Sequence, residues 1–271
     1  MPSLLPFIIL SNLLMQTNLM EHMLLHIQGA CRILLGTSPY GAYAWVLGLL
    51  CGFPMGAKLT ADFYLSGRID RDEAEYLLMV SNHASPMFII NYVVLSTLGD
   101  EHLLKPVLSI LYGSALLSTG ILRVYFRRFH LSSDRIRKKE VSMTGSTGAI
   151  LDTSIMNGFE TITRLGGYII LFSIYGTLLR KVLMPFPTLQ ALIAGITEIT
   201  TGINCIHNSL LTRNIQFLLI LCCTSFGGIS TLAQTNCVIQ ESGLSIHTYL
   251  QGKLLNAAVT SILTFLFIII I

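Results

Sequence analysis

The stretch ILLGTSPYGAYAWVLGLLCGFPMGAK (residues 33–58) carries no charge until its last residue, Lys58. Its 25 uncharged positions match the roughly 20 apolar residues that a helix needs to cross a bilayer. Yet two clusters interrupt it. Gly36-Thr37-Ser38-Pro39-Tyr40-Gly41 and Gly52-Phe53-Pro54-Met55-Gly56 each combine glycines with a proline. Proline removes a backbone donor and clashes with the preceding turn, so both clusters should break a helix. The stretch is therefore apolar enough for lipid but too broken for one straight span. Irregular backbone at that depth is tolerated where protein buries it or a cavity hydrates it.

The rest of the chain repeats this character. Of 271 residues, 52% are hydrophobic and 11% charged, against about a quarter charged in a typical soluble domain. Uncharged stretches recur at 1–20, 76–99, 106–122, 182–197, 214–240 and 254–271. Together with 158–179 they predict seven to nine membrane-embedded segments. Their apolar runs are continuous rather than alternating, which argues for helices over a β-barrel. The first 20 residues lack a charged leader and a small-residue cleavage site, so we read them as a retained helix. Residues 21–35 mix Glu21, His22, His26 and Arg32 with apolar positions, as an interfacial helix would. This balance excludes a soluble enzyme or a nucleic-acid-binding domain. No nucleotide-binding glycine-lysine motif occurs, and the six cysteines have no metal-ligand spacing. No cofactor and no metal is expected.

Charge outside the apolar runs is concentrated. Residues 123–140 hold Arg123, Arg127, Arg128, Arg135, Arg137, Lys138 and Lys139 against Asp134 and Glu140. The positive-inside rule makes a loop over about 123–157 cytoplasmic. Arg180 and Lys181 then fall on the opposite side, against that rule. Asp70-Arg71-Asp72-Glu73 has capping-box spacing, with Asp70 at the N-cap and Glu73 three residues on.

The halves on either side of this loop share features. A shift of 176 positions lays 52–80 on 228–256, pairing Gly52 with Gly228, Ala57 with Ala233, Ser66 with Ser242, Gly67 with Gly243 and Leu78 with Leu254. We divide the single membrane domain, 1–271, into repeat one (about 30–122), the basic loop, and repeat two (about 158–271). Glycine-interrupted segments in corresponding places of two halves point to a transporter binding site. For any one glycine, close helix packing is the plainer explanation.

Five motifs carry a resemblance: Gly-Phe-Pro-Met-Gly-Ala-Lys (52–58), Ser-Gly-Arg-Ile with Glu-Ala-Glu (66–75), Ser-Asn-His-Ala-Ser-Pro-Met-Phe (81–88), Gly-Ile-Thr-Glu-Ile-Thr-Thr-Gly (195–202) and Phe-Gly-Gly-Ile-Ser (226–230). In this order they resemble the YlbJ family of sporulation integral membrane proteins, within the nucleoside-recognition or gate-domain group. The resemblance covers roughly residues 30–260. It implies an all-α polytopic membrane protein with two inverted-type repeats, each holding a re-entrant helical hairpin and broken helices. It also implies a distant similarity to concentrative nucleoside transporters. The role it implies is movement of dipicolinic acid, a small aromatic dicarboxylate, across the outer forespore membrane during sporulation.

A site for a planar dianion needs cationic or N–H donors around a flat cavity. Lys58, after a helix break and at the end of an uncharged run, is the first candidate. Snorkelling to the interface is its plainer role. Asn82, His83 and Ser85 stand where the first hairpin meets Pro86; Gly227, Gly228, Ser230, Thr231 and Gln234 are the second-half candidates. Gly52, Pro54 and Gly56 are the breaks that would shape the first hairpin. Glu198 is the sole acid between Glu160 and Glu241 and is followed by Thr200 and Thr201. It is a candidate for a coupling proton or sodium ion, or for pairing with Lys58. The expected partners are the anionic substrate and the bilayer, with no nucleic acid and with homo-oligomerisation left open. Two other functions compete: transport of nucleosides or another small solute, and a non-transporting role in spore-envelope assembly.

Overall fold

The computed structural model describes residues 4–16, 35–126 and 147–270, and every regular element among them is helical. The interfacial helix expected over 21–35 and most of the basic loop lie outside the described residues. Among the described residues, four helical stretches are long and apolar enough to cross a membrane: Glu101–Phe126, Leu151–Val182, Arg213–Ser242 and Ile246–Ile270. Shorter apolar helices are Pro39–Cys51, Phe88–Leu98 and Pro187–Thr197.

α1 (Leu4–Gln16) is followed, after the undescribed segment, by α2 (Pro39–Cys51). Ser38 accepts from Gly41 N and Pro39 occupies the first helical turn, a favourable start on both counts. α2 ends at Gly52, whose φ of 87° is open to glycine but not to most residues. The chain turns through Phe53 and Pro54 and returns as α3 (Met55–Leu65). α2 has 13 residues and α3 has 11. At 1.5 Å per residue each covers about 16–20 Å, roughly half a bilayer. They pack so closely that a methyl on Gly48 would lie 3.1 Å from Gly56 Cα.

α4 (Arg71–Val80) begins at Asp70, whose carboxylate accepts from Glu73 N at 2.8 Å. That half of the capping box is as expected. The reciprocal half is not: Glu73 is buried and its Oε1 accepts from Ser38 N at 2.6 Å. It ties the start of α2 to the start of α4, placing a hydrogen-bond acceptor at the N-terminus of α2, where backbone N–H groups lack intrahelical partners. After Val80 the helix opens over 81–85. It resumes as a π-helix, Phe88–Leu98, ending at Gly99 with φ 66°. α5 (Leu104–Phe126) runs back. α6 (Thr147–Val182) spans 36 residues, longer than the segment expected over 158–179.

The second half follows the same order of elements. α7 (Pro187–Thr197) and α8 (Ile199–His207) form a hairpin with Glu198 at its tip. They are so tightly crossed that a methyl on Gly202 would lie 2.3 Å from Gly195 Cα. α9 (Arg213–Phe226) and α10 (Gly228–Ile239) form a helix broken at Gly227. α11 (Ile246–Ile270) is the last long helix, starting eight residues before the expected 254. Hairpin, broken helix and long helix thus occur twice. The 176-residue shift paired the first hairpin tip, at Gly52, with the broken helix at Gly228. Element order instead pairs Gly52 with Glu198, and the opening at 81–85 with Gly227. The glycines that drove the shift do different jobs, one turning a hairpin and the other kinking a helix.

Buried polar residues such as Thr60, Ser114, Thr224 and Thr260 share the interior with an apolar core, while large apolar side chains also cover the outside. Ile170, Leu171, Ile174 and Leu178 on α6 are exposed, as are Leu116, Leu117 and Ile121 on α5. Between α5 and α11, Thr260 Oγ1 donates to Ser114 Oγ at 2.8 Å and Ser118 Oγ to Asn256 Oδ1 at 3.3 Å. Small and hydroxylated residues at helix contacts are the packing mode of membrane helices, which gain nothing by hiding apolar surface from lipid.

Candidate functional site

Both hairpin tips and both helix breaks converge. At the first tip, a methyl on Gly52 would meet the Ser85 nitrogen at 3.1 Å, so this tip abuts the opening in the α4–π-helix segment. At the second, a methyl on Gly228 would meet the Ile196 oxygen at 3.1 Å and the Thr197 oxygen at 3.2 Å. The second tip therefore abuts the α9–α10 break. The sets are joined across the middle, because a methyl on Gly227 would meet the Phe53 ring at 3.1 Å.

A buried lysine lies at this junction. Lys253 on α11 is 1% exposed. Its Nζ donates a very short hydrogen bond to the Asn82 carbonyl and another, at 3.2 Å, to the Ser225 carbonyl. The Phe53 ring centroid is 4.5 Å from the same nitrogen. One ammonium thus touches the first break, the second break and the first hairpin tip. Close backbone approach puts it there: a methyl on Gly252 would lie 2.5 Å from Met79 Cα, so α11 crosses α4 almost in contact. A charge at this depth is costly and is usually functional.

The predicted residues divide around this centre. Asn82 is buried; its Oδ1 accepts from Ala57 N at 3.0 Å, capping the first turn of α3 from another part of the chain. His83 is buried, with Nε2 2.8 Å from the Val80 oxygen at the end of α4. Ser85 Oγ accepts from Phe88 N at 3.3 Å, where the helix resumes. Thr231 Oγ1 donates to the Gly228 oxygen at 2.9 Å, and Gln234 Nε2 donates to Ser230 Oγ at 3.1 Å. All three side chains are buried, and no side chain caps the start of α10. Gly56 is a contact point: a methyl there would lie 2.1 Å from the Ser81 oxygen.

Lys58 does not join them. Its Nζ pairs with Asp62 at 2.7 Å and lines a cleft of about 560 Å³ between α1, α3, α6 and α10. Arg68, Glu160, Arg164 and Glu241 line the same cleft. Arg164 pairs with Glu160 at 2.6 Å and approaches Glu241 at 4.0 Å. The expected pairing of Lys58 with Glu198 is absent, because each acts within its own hairpin. Lys58 reaches along α3 to Asp62, one turn on.

Glu198 is a helix cap. Its Oε1 accepts from Thr200 N at 3.0 Å. Its Oε2 accepts from Thr200 Oγ1 at 2.5 Å, from Thr201 N at 2.8 Å and, in a very short bond, from Thr201 Oγ1. Replacing Glu198 by alanine should cost about 1–2 kcal/mol of stability, the usual loss for a cap. Glu198→Gln keeps an acceptor and should cost less. Thermal unfolding of both variants in detergent decides this. An alanine variant as stable as wild type would exclude the capping role.

Among the described residues, no cluster of His, Cys, Asp and Glu suits a metal ion. Sequence reasoning missed Lys253 because it sits just before the uncharged run 254–271, where a lysine reads as an interfacial anchor. The signal available was a lone lysine amid Gly252, Asn256 and Ala257, residues small or polar enough for a buried helix face.

The chain is similar to the sporulation integral membrane protein YlbJ of Bacillus subtilis (strain 168), with 27% identity over 98% of this chain and 73% of that protein. No protein-family model matches the chain. No solved structure matches it.

Proposed function

We propose that this chain, a member of the YlbJ-type sporulation integral membrane proteins, is a secondary transporter of a small aromatic dicarboxylate, dipicolinic acid, across the outer forespore membrane. The observation that carries the reading is the meeting of two hairpin tips with two helix breaks inside a bundle of apolar helices. Broken helices facing one another at mid-depth present backbone donors and acceptors to a solute that lipid would exclude. A purely structural membrane protein has no need of such a junction or of a buried ammonium within it.

The contacts also support inverted repeats. The open end of the α2–α3 hairpin adjoins the start of α4, which is bonded to the start of α11 through Ser245 N and Glu75 Oε1 at 3.0 Å. The open end of the α7–α8 hairpin adjoins the start of α9, where Gln216 Nε2 donates to the Ser209 oxygen at 2.9 Å. There Phe217 packs on Phe267, near the finish of α11. The hairpins thus enter from opposite ends, as a gate-type transporter with a central site would have them. The uncapped start of α10, with Ser230, Thr231 and Gln234, offers donors for a carboxylate. The cleft holding Lys58, Arg68 and Arg164 serves as its antechamber.

The test is uptake of labelled dipicolinate into liposomes containing the purified protein. Wild type should show saturable uptake. Ser230→Ala combined with Gln234→Leu should abolish it. Lys58→Ala should keep the maximal rate and raise the half-saturating concentration, because Lys58 lies in the antechamber. No uptake above empty liposomes by folded protein would defeat the reading and favour another solute or an assembly role.

A further inference from the structure

Helix C-termini carry partial negative charge on carbonyls that lack intrahelical partners. Two carbonyls beside such ends aim at one point here, that of Asn82 in the open stretch just past α4 and that of Ser225 in the last turn of α9. The α4 helix ends at Val80 and its chain continues to Asn82; α9 ends at Phe226, next to Ser225. Carbonyls at the ends of half-helices form the coordination shell for small cations in many carriers. In this chain the point they share is already occupied by the Lys253 ammonium. The Phe53 face closes another side of the same nitrogen, again a surface that favours a cation. Among the described residues no carboxylate pairs with Lys253, so its charge is balanced by these dipoles and the ring.

We propose that Lys253 is a tethered cation filling a carbonyl site between the two helix breaks, so that the protein holds its broken helices together without a bound alkali-metal ion. The carbonyl site stands on geometry alone. Its consequence for transport, that uptake needs no sodium, rests on the transporter reading above. The side chain is covalently supplied by α11, whose backbone touches α4 at Gly252. Its position therefore depends on no dissolved ion. Truncating it would leave two buried carbonyls facing a space that a small monovalent cation could enter.

The experiment compares full-length wild type, Lys253→Ala and Lys253→Met in detergent. Thermal unfolding is followed in sodium chloride, in choline chloride of equal ionic strength, and with methylammonium chloride added. Wild type should unfold at the same temperature in all three. Lys253→Ala should unfold earlier and be raised again, saturably, by sodium or methylammonium. Lys253→Met fills the space without charge and should show no response. Wild type stabilised saturably by sodium over choline would overturn the proposal, and that arm needs no variant to fold. Lys253→Ala insensitive to both cations would overturn it as well. In liposomes, wild-type uptake should be unchanged when choline replaces sodium; uptake that requires sodium also overturns it. Absence of any uptake defeats the transporter reading instead, and leaves the unfolding result standing.

Discussion

Gly48→Ala should abolish accumulation of the folded protein. A methyl at this position would stand 1.7 Å from the Ser81 carbonyl oxygen and 2.8 Å from its carbon. These are backbone atoms of the first helix break, so no rotamer change relieves the clash. α2 would have to move away by more than an ångström, dragging with it the tip at Gly52 and its contact with Ser85. Overpacking in a rigid core costs about 1–3 kcal/mol even where side chains can yield, and here they cannot. Gly56→Ala should behave alike, since its methyl would meet the same oxygen at 2.1 Å. Gly120→Ala is the contrast: nothing lies within 4 Å of its methyl. An alanine in that helix should be neutral or stabilise it by up to about 1 kcal/mol. Expression level and monodispersity in detergent check all three. A folded Gly48→Ala protein would mean that the α2–α3 hairpin does not seat on Ser81.

Under the proposed transport function, Asn82→Ala should leave a folded protein without uptake. The side chain supplies the cap that Ala57 N would otherwise lack, and Ala57 is wholly buried. An orphaned buried donor costs about 1–3 kcal/mol. The residue also carries the carbonyl that Lys253 contacts, so loosening it loosens the junction. A penalty of that size corresponds to about a 5- to 150-fold fall in the population of the assembled junction. Asn82→Asp retains the acceptor and should keep most of the stability. Unfolding temperature and dipicolinate uptake measured on both variants separate the outcomes. An alanine variant with wild-type uptake would remove Asn82 from the site.

Four of the five motifs that carried the family resemblance lie at hairpin tips or helix breaks. Gly52–Gly56, Asn82–Ser85, Glu198 and Gly227–Gly228 all fall at tips or breaks. Glycine, proline and buried polar residues in an apolar run have local consequences that a sequence displays. Charge placement was harder to read. Lys58 and Lys253 look alike in the sequence, each beside an uncharged run, yet one pairs with Asp62 beside a cleft and the other lies at the centre. Glu198 likewise read as a candidate for a coupling ion or for pairing with Lys58, because its bonds to Thr200 and Thr201 depend on how the backbone turns at that residue. The 176-residue shift misaligned the two halves for a related reason, since a hairpin turn and a helix kink both call for glycine.

The sequence by itself determined that this chain is helical and membrane-embedded, and where its helices fail. Apolar content, charge gaps and proline act over a few residues and need no partner. Only the tertiary structure decided which failures meet, which lysine is buried among them and which carboxylate is spent on a cap. Those outcomes turn on backbone approaches between residues far apart in the chain, such as Gly48 with Ser81 and Gly252 with Met79. No local pattern records such an approach, because a glycine reads the same whether another helix touches it or not.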